Sequence, residues 1–193
     1  VTPTCSNVTI TGTGLVTLTE TKTLHKITVT SESGNSRTYK LTIIKVKDTT
    51  TVNDIISKLS VKTNDTLMFN ISPETLVSTL IQSINKQNSN AIVNIYESSG
   101  SASSSSDLIK TNQKIKITVP SGESRTYTLI VTGDTSGDGK VTILDLLQLQ
   151  KHLLGSSVLN SVQLKSADTN LDGTTNILDL LRIQKHILGS IRL

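Results

Sequence analysis

Aromatic and sulfur-containing side chains are scarce in this sequence of 193 residues, which has no Trp, one Phe, three Tyr and one Cys. Carbohydrate-binding surfaces usually rest on aromatic platforms, and single-stranded nucleic acids stack on aromatic rings, so both functions are disfavoured. The lone Cys5 excludes an internal disulfide and leaves the redox compartment open. No run of about 18 apolar residues occurs, so no membrane insertion is predicted.

Charge is not clustered in the manner of a catalytic or nucleic-acid site. The formal net charge is +4, but the Lys residues are dispersed and no aromatic residues interleave with them, so no nucleic-acid partner is expected. Nine of the fifteen acidic residues are scattered singly before position 133, and Cys5 and His25 are isolated. We therefore expect no enzyme activity here. The sequence begins with Val and is interpreted as a piece of a larger protein, with any catalytic domain outside it.

A duplication near the C-terminus is the main feature that the sequence does contain. The segment Asp134–Asp145 recurs 34 residues later as Asp168–Asp179, and eleven of fourteen positions are identical between 143–156 and 177–190. Each copy fits a twelve-residue calcium loop of the EF-hand type, with ligands at positions 1, 3, 5, 7, 9 and 12 and Gly at position 6. The predicted ligands are Asp134, Ser136, Asp138, the carbonyl of Lys140, Thr142 and Asp145 in loop 1, and Asp168, Asn170, Asp172, the carbonyl of Thr174, Asn176 and Asp179 in loop 2.

Two calcium ions are the predicted cofactors. Position 12 departs from the EF-hand pattern, since Asp replaces Glu in both loops. The hydroxyl of Ser136 is a weak ligand, so loop 1 is expected to bind calcium more weakly than loop 2. All six acidic residues of 133–193 are predicted ligands. Because carboxylates held close together repel one another, folding of this segment is expected to depend on metal.

The helix predicted after each loop has two apolar stripes, whereas a small surface helix needs only one for its own core. One stripe contains Leu146, Leu149 and Leu153, and its counterpart contains Leu180, Ile183 and Ile187. The surplus stripes contain Ile143, Leu147 and Leu154 in one helix, and Ile177, Leu181 and Leu188 in the other. A surplus stripe indicates an external partner, or else burial against neighbouring modules of the same chain.

The end of each helix is also marked. Gly155 and Gly189 suit the left-handed residue that follows a helix, and the neighbouring Lys and His residues complement the negative end of the helix dipole. His152 and His186 therefore have a structural explanation, and no zinc or catalytic role is predicted for them.

Residues 133–193 resemble a dockerin in three motifs: the GD-x-x-GDG-x-x-x-x-x-D opening, the second D-x-N-x-DG-x-x-N-x-x-D loop and the LLxxQKHxLG tails. The resemblance covers about a third of the chain. It implies loops that lack the entering helix of a full EF-hand, and docking onto a cohesin of a scaffold or cell surface. The partner-binding residues that it implies are Ile143, Leu144, Leu147, Gln150, Lys151 and Leu154, and Ile177, Leu178, Leu181, Gln184, Lys185 and Leu188.

The near identity of the two copies implies two pseudo-symmetric binding faces and therefore two docking orientations. The resemblance also implies an extracellular protein, secreted or attached to the surface of a Gram-positive bacterium, in a cellulosome-like assembly. The Ile-Leu pair at the start of each helix indicates a more hydrophobic interface than dockerins with hydroxyl residues there would have.

A second internal repeat lies upstream, where 27–41 and 117–129 share an Ile-Thr-Val strand, a Gly-containing turn and a Ser-Arg-Thr-Tyr strand. It predicts two related β-rich modules, resembling Ig-like or X-type modules. The predicted domains are 1–47, a β module; 48–132, an α+β module; and 133–193, the dockerin. The fold class is thus multi-domain: β-sandwich-like N-terminal modules and a small all-α, duplicated EF-hand-like dockerin. Alternatively, 1–132 is one continuous β-rich domain.

The predicted elements of the upstream region follow from alternation and capping signals. Strands are predicted near 8–10, 14–18, 25–30, 39–46, 67–71, 91–96, 113–119 and 125–132, and helices from Thr51 to Leu59 and from Ser72 to about Lys86. No linker separates the last strand from loop 1, so the module and the calcium segment are expected to pack as one semi-rigid unit.

Other functions compete with cohesin binding. A calcium-stiffened stalk of a surface adhesin would need the same loops and no partner. An accessory carbohydrate-binding region of a glycoside hydrolase is the other alternative, with carbohydrate contacted only through missing upstream domains.

Overall fold

The computed structural model describes residues 7–18 and 22–193, which divide into two compact units, Val1–Asp48 and Thr49–Leu193. Unit 1 contains one antiparallel sheet in the order β1-β2-β3. Its strands are β1 (Thr9–Thr11), β2 (Lys22–Thr30) and β3 (Ser36–Ile44). The strand predicted at 14–18 is wrong, because that segment pairs with nothing among the described residues. Gly12 and Gly14, both at positive φ, turn the chain away from the sheet just before it.

The upstream repeat forms the same hairpin in both units but with different burial. Tyr39 and Leu41 of unit 1 are each about half exposed, at 53% and 51%, whereas their counterparts Tyr127 and Leu129 in unit 2 are buried. No residue in the described part of unit 1 is fully buried. The alternating pattern and the turn therefore fix the hairpin, while burial depends on the elements that cover its apolar face.

Unit 2 contains a five-stranded sheet and five helices. In chain order its elements are α1 (Val52–Ile56), β4 (Lys62–Thr63), β5 (Leu67–Ile71), α2 (Val77–Asn85), β6 (Ile92–Tyr96), β7 (Lys114–Thr118), β8 (Ser124–Val131), α3 (Ile143–Leu153), α4 (Ser161–Ala167) and α5 (Ile177–Ile187). The sheet order is β4-β5-β8-β7-β6, with β5 and β8 parallel and the other neighbours antiparallel.

The main core of unit 2 lies between this sheet and the helices α1 and α2. Alternate residues of β7 are buried, as expected for a strand with one covered face, and the last three residues of β8 are all buried. The core residues include Val52, Ile55, Leu80, Ile84, Ile115, Ile117, Tyr127 and Leu129. A β-rich N-terminal region followed by C-terminal helices is therefore confirmed. The described residues of each unit contain a single sheet, so the β-sandwich-like arrangement stays a prediction.

The capping signals were accurate for α1 and misleading for α2. Thr51 and Asp54 form the predicted capping box, although α1 ends at Ile56 and not at Leu59. The sequence predicted a helix from Ser72, with Pro73 in its first turn, but α2 begins at Val77, four residues after Pro73. Glu74 adopts a positive φ of 60° and donates its N–H to the carbonyl of Gly139 at 2.9 Å, so it cannot belong to the first helical turn.

Helix α4 was not predicted, although Asn160 and Gln163 form a capping box at its start. It ends directly at Asp168, the first residue of loop 2. The dockerin resemblance implied that neither loop has an entering helix, and this is wrong for loop 2. Loop 1, in contrast, is entered from strand β8.

Candidate functional site

Loop 1 is built around the buried carboxylate of Asp134, three residues after the end of β8. Its Oδ1 accepts the N–H groups of Gly137 and Asp138 at 2.8 and 3.0 Å. Its Oδ2 accepts the N–H of Gly139 at 3.0 Å and that of Thr111 at 2.9 Å. The loop therefore wraps around its first predicted ligand, and one of the four backbone donors comes from outside the loop.

The last predicted ligand of each loop also caps the following helix. Asp145 and Asp179 are fully buried, and each completes a capping box, with Thr142 at α3 and Asn176 at α5. The other carboxylate oxygen of Asp145 accepts the N–H of Ser136 at 2.8 Å, so it also links the two ends of the loop. Because an Asp at the third helical position reaches the capping residue, position 12 serves the helix as well as the loop.

Loop 2 holds Asp168 in a similar way but with one cationic partner. Asp168 accepts the N–H groups of Asp172 at 3.1 Å and Gly173 at 3.2 Å. Its Oδ2 also lies 3.1 Å from the ammonium of Lys165. Lys165 therefore occupies the place that the Thr111 N–H has in loop 1.

The remaining predicted ligands make local contacts within their own loops. Asp138 and Asp172 each accept the N–H of the residue two positions ahead, at 2.8 Å. The side chains of Thr142 and Asn176 are the N-caps of their helices. Within residues 7–18 and 22–193 no three His, Cys, Asp or Glu side chains are grouped as a metal site. The two ligand sets therefore stay predictions. Besides the carboxylates, each set includes oxygen atoms of Ser, Asn or Thr side chains and of a backbone carbonyl.

The charge balance of the loops fits a bound divalent cation. Asp134, Asp145, Asp168 and Asp179 are all buried, yet in the described chain the only ion pair that any of them makes is Lys165–Asp168. Burial raises the pKa of the Asp134 carboxyl above its ordinary value, and the negative charge of Asp145 raises it further. Hydrogen bonds from backbone N–H groups lower this pKa, but by less than burial raises it. A cation would favour the ionised form of these carboxylates. Oxygen donors of this kind suit Ca²⁺.

The surplus stripes are solvent-exposed and nearly identical in the two helices. Ile143 and Ile177 are 63% and 64% exposed, and Leu147 and Leu181 are both 43% exposed. Leu144, Leu154, Leu178 and Leu188 are more than half exposed. Gln150, Lys151, Gln184 and Lys185 are exposed beside them. All twelve predicted partner-binding residues are thus accessible in the described structure, which leaves their role as a prediction.

The inner stripes pack together, with Leu149 and Ile183 fully buried in a small core that also contains Leu159 and Ala167. Leu146 and Leu180 pack against this core. Leu153 and Ile187 are exposed, so the inner stripe is one turn shorter than predicted. The difference has a simple cause: each helix ends at this residue and its last turn projects beyond the core.

His152 and His186 hold the turns that follow α3 and α5. The Nδ1 atom of His152 accepts the N–H of Leu159 at 3.3 Å, and that of His186 accepts the N–H of Leu193 at the same distance. In this arrangement the ring proton lies on Nε2. The helix ends are as predicted, since Gly155 and Gly189 have φ values of 71° and 73°.

Sequence reasoning missed Thr111 and Lys165, which contact the first ligand of each loop. Thr111 lies 23 residues from Asp134 and donates through its backbone, so its identity carries no signal. Lys165 did carry a signal, because its spacing of three residues from Asp168 allows a pair on one helical face.

A matched pair of glycines tests how closely loop 1 is packed. Gly139 and Gly173 both occupy position 6 and have φ values of 85° and 87°. A Cβ on Gly139 would lie 2.6 Å from the carbonyl oxygen of Ile109, whereas a Cβ on Gly173 would meet nothing within 4 Å. Gly139→Ala is expected to lower the free energy of unfolding by about 1–3 kcal/mol more than Gly173→Ala, the usual range for overpacking.

The measurement is denaturant unfolding in excess calcium. Gly173→Ala serves as the control, because it carries the same backbone strain without the close contact. Equal midpoints for the two variants would contradict the packing seen at Gly139.

Comparison with known proteins identifies a family for the C-terminal segment. The family model described as the dockerin type I domain matches residues 132–188. No curated protein matches the chain. Among the described residues, every helix is too short or too polar to cross a membrane.

Proposed function

We propose that this chain, which carries a type I dockerin domain at residues 132–188, is held by a cohesin through the outer faces of α3 and α5. Dockerin domains in general dock onto cohesins in a calcium-dependent manner. The observation that supports these faces is the exposed aliphatic stripe on each helix, which lies outside the small core that Leu149 and Ile183 form. Apolar stripes of this kind are typical of a protein-binding surface.

The two faces are proposed to bind the cohesin alternatively. Leu149 and Ile183 meet in the small core, so the sequence repeat leaves one exposed face on each of two neighbouring helices. The exposures of equivalent residues agree within three percentage points, for example 74% for Leu154 and 71% for Leu188. Two such similar surfaces offer a cohesin two docking orientations.

Each loop is proposed to bind one calcium ion through the six predicted ligands. Dockerin domains bind calcium in general. Each loop contains buried carboxylates without sufficient counter-charge, which supports two calcium sites in this chain. A buried charge without a partner destabilises the folded state, and a bound cation would remove that penalty. The ion would hold the loop closed and fix the start of each helix, where the partner-binding residues begin.

The upstream region is proposed to act as an Ig-like or X-type spacer without a catalytic site, in a protein that is secreted or attached to a bacterial surface. Dockerin proteins are typically extracellular. Carbohydrate contact, if the larger protein makes any, is assigned to domains outside this sequence.

The test is a binding titration of the full chain against a panel of cohesins, in excess calcium and again with a chelator. Binding in calcium to at least one cohesin, lost with the chelator, supports the proposal. Intact calcium-dependent folding without binding to any cohesin would instead favour a calcium-stiffened stalk.

A further inference from the structure

We infer that calcium in loop 1 stabilises the five-stranded sheet of unit 2, because residues 108–113 of the sheet region form one wall of that loop. Calcium in loop 2 has a much smaller effect on the sheet. The inference rests on the proposed calcium sites, and it adds that the two sites are not equivalent despite their matching sequences.

The first contact joins the sheet region to a predicted ligand. The N–H of Thr111 donates to Oδ2 of Asp134 at 2.9 Å, and both residues are buried. The hydroxyl oxygen of Thr111 accepts the N–H of Val131, in the last position of β8, at 3.1 Å. A shift of the Asp134 carboxylate would therefore disturb a hydrogen bond at the end of β8, the middle strand of the sheet.

The second contact is steric and involves position 6 of the loop. The backbone of Gly139 lies so close to Leu108 and Ile109 that no side chain would fit. Its carbonyl accepts the N–H of Glu74, which precedes α2. Loop 1 is thus held on both sides by segments that border the main core.

The 108–113 segment is itself fixed by a buried polar network. The side-chain oxygen of Gln113, which is only 1% exposed, accepts the N–H of Lys110 at 2.8 Å. The Gln113 amide donates to Glu97 at 2.8 Å, and Lys110 forms an ion pair with Glu97 at 3.3 Å. Burial alone would raise the pKa of Glu97, but the hydrogen bonds from Gln113, Ser103 and Lys110 outweigh it and lower that pKa. The wall of loop 1 is therefore a rigid part of the sheet region.

Loop 2 has no such wall. The space around Gly173 is open, and the partner of Asp168 outside the loop is Lys165 of the preceding helix α4. The ammonium of Lys165 lies 4.7 Å from the centre of the Phe69 ring in β5. The sheet therefore reaches the Asp168 carboxylate through the Lys165 side chain, and α4 is also tied to β8 by the Ser166 hydroxyl, which donates to the carbonyl of Val131 at 2.7 Å. In loop 1 the contact with the first ligand is direct.

The thermodynamic linkage between calcium binding and local opening predicts a measurable change in amide exchange. A ligand that binds only the folded arrangement of its site reduces the population of the open form by the factor 1 + [L]/Kd. If loop 1 and residues 108–113 open together, calcium at 100 times its Kd slows exchange of the amides in that segment by up to about 100-fold. The coupling is reciprocal, so an intact sheet region also tightens calcium binding in loop 1.

The experiment is amide hydrogen exchange of the full chain by NMR, with and without calcium. Its probe is the Thr111 amide. The matched variants are Asp138→Ala and Asp172→Ala, at position 5 of each loop, because both carboxylates are exposed and neither supports a core. In the wild type, calcium should slow Thr111 exchange at least tenfold. Asp138→Ala should abolish the slowing, and Asp172→Ala should leave it within about threefold of wild type.

Three outcomes would overturn the inference. If calcium protects amides of both loops but leaves Thr111 unchanged, the coupling is absent and the proposed calcium function stands. If Asp172→Ala removes the slowing as fully as Asp138→Ala, the two loops act as one and the asymmetry is wrong. If calcium protects neither loop, the calcium sites themselves fail, and the inference fails with them.

Discussion

Changing both Ile143 and Ile177 to Asp in one chain is expected to abolish cohesin binding, while either change alone leaves the dissociation constant within about twofold of wild type. Each single variant retains one intact face, so it loses only one of two equivalent orientations. That loss corresponds to about 0.4 kcal/mol. The double variant must bury a carboxylate in an apolar interface whichever way it docks. An unpaired buried charge costs several kcal/mol, which weakens binding by about 100-fold or more.

The measurement is calorimetric or surface-based titration with a cohesin that binds the wild type. Both Ile side chains are almost two-thirds exposed, so neither change removes core packing. Val158→Asp is the matched control, since Val158 is 87% exposed and lies outside both faces. Dual docking is rejected if one single change abolishes binding and the other has no effect.

The sequence predicted the C-terminal segment well because its signals are local. The starts and ends of α3 and α5 lie within one repeat, and the period of the apolar residues separates the buried Leu149 from the exposed Ile143. The strands β5 to β8 were likewise predicted near their observed positions, and the burial of β7 follows period two. Helix α4 begins with a capping box at Asn160, which the sequence contains. It was not predicted because its seven residues show no long apolar pattern.

What could not be predicted depends on contacts between distant segments. Glu74 lies in the first turn of the helix that the sequence predicted. Its N–H instead donates to the carbonyl of Gly139, 65 positions later in the chain, and the helix starts after Glu74. The donor that Thr111 provides to Asp134 is a backbone group, which any residue but Pro would supply. Tyr39 and Tyr127 occupy the same place in the sequence repeat and differ completely in burial. The local sequence pattern predicts the hairpin, but it does not predict which elements pack against the hairpin.

Removing calcium is expected to lower the free energy of unfolding of unit 2 by up to about 5 kcal/mol, the sum for two sites at 100 times their Kd. Asp145→Asn and Asp179→Asn should each reduce the contribution of the ion in their own loop, because each substitution removes one charged ligand. In a chelator, the variants should differ from the wild type only by the weakened helix cap, since Asn retains the size of Asp and part of its hydrogen bonding.

Asp54→Asn is the matched control for this experiment. Asp54 forms a capping box with Thr51 at the start of α1, in the same arrangement as Asp145 with Thr142, but it lies in no calcium loop. The Thr51 hydrogen bonds lower the pKa of Asp54, so the ionised form that caps the helix prevails at neutral pH, and its contribution is lost only as pH falls. Asp54→Asn should therefore weaken folding equally with calcium and with chelator. If Asp145→Asn does the same, the carboxylate at position 12 acts only as a helix cap. If its effect is larger in calcium than in chelator, it holds the ion that closes loop 1.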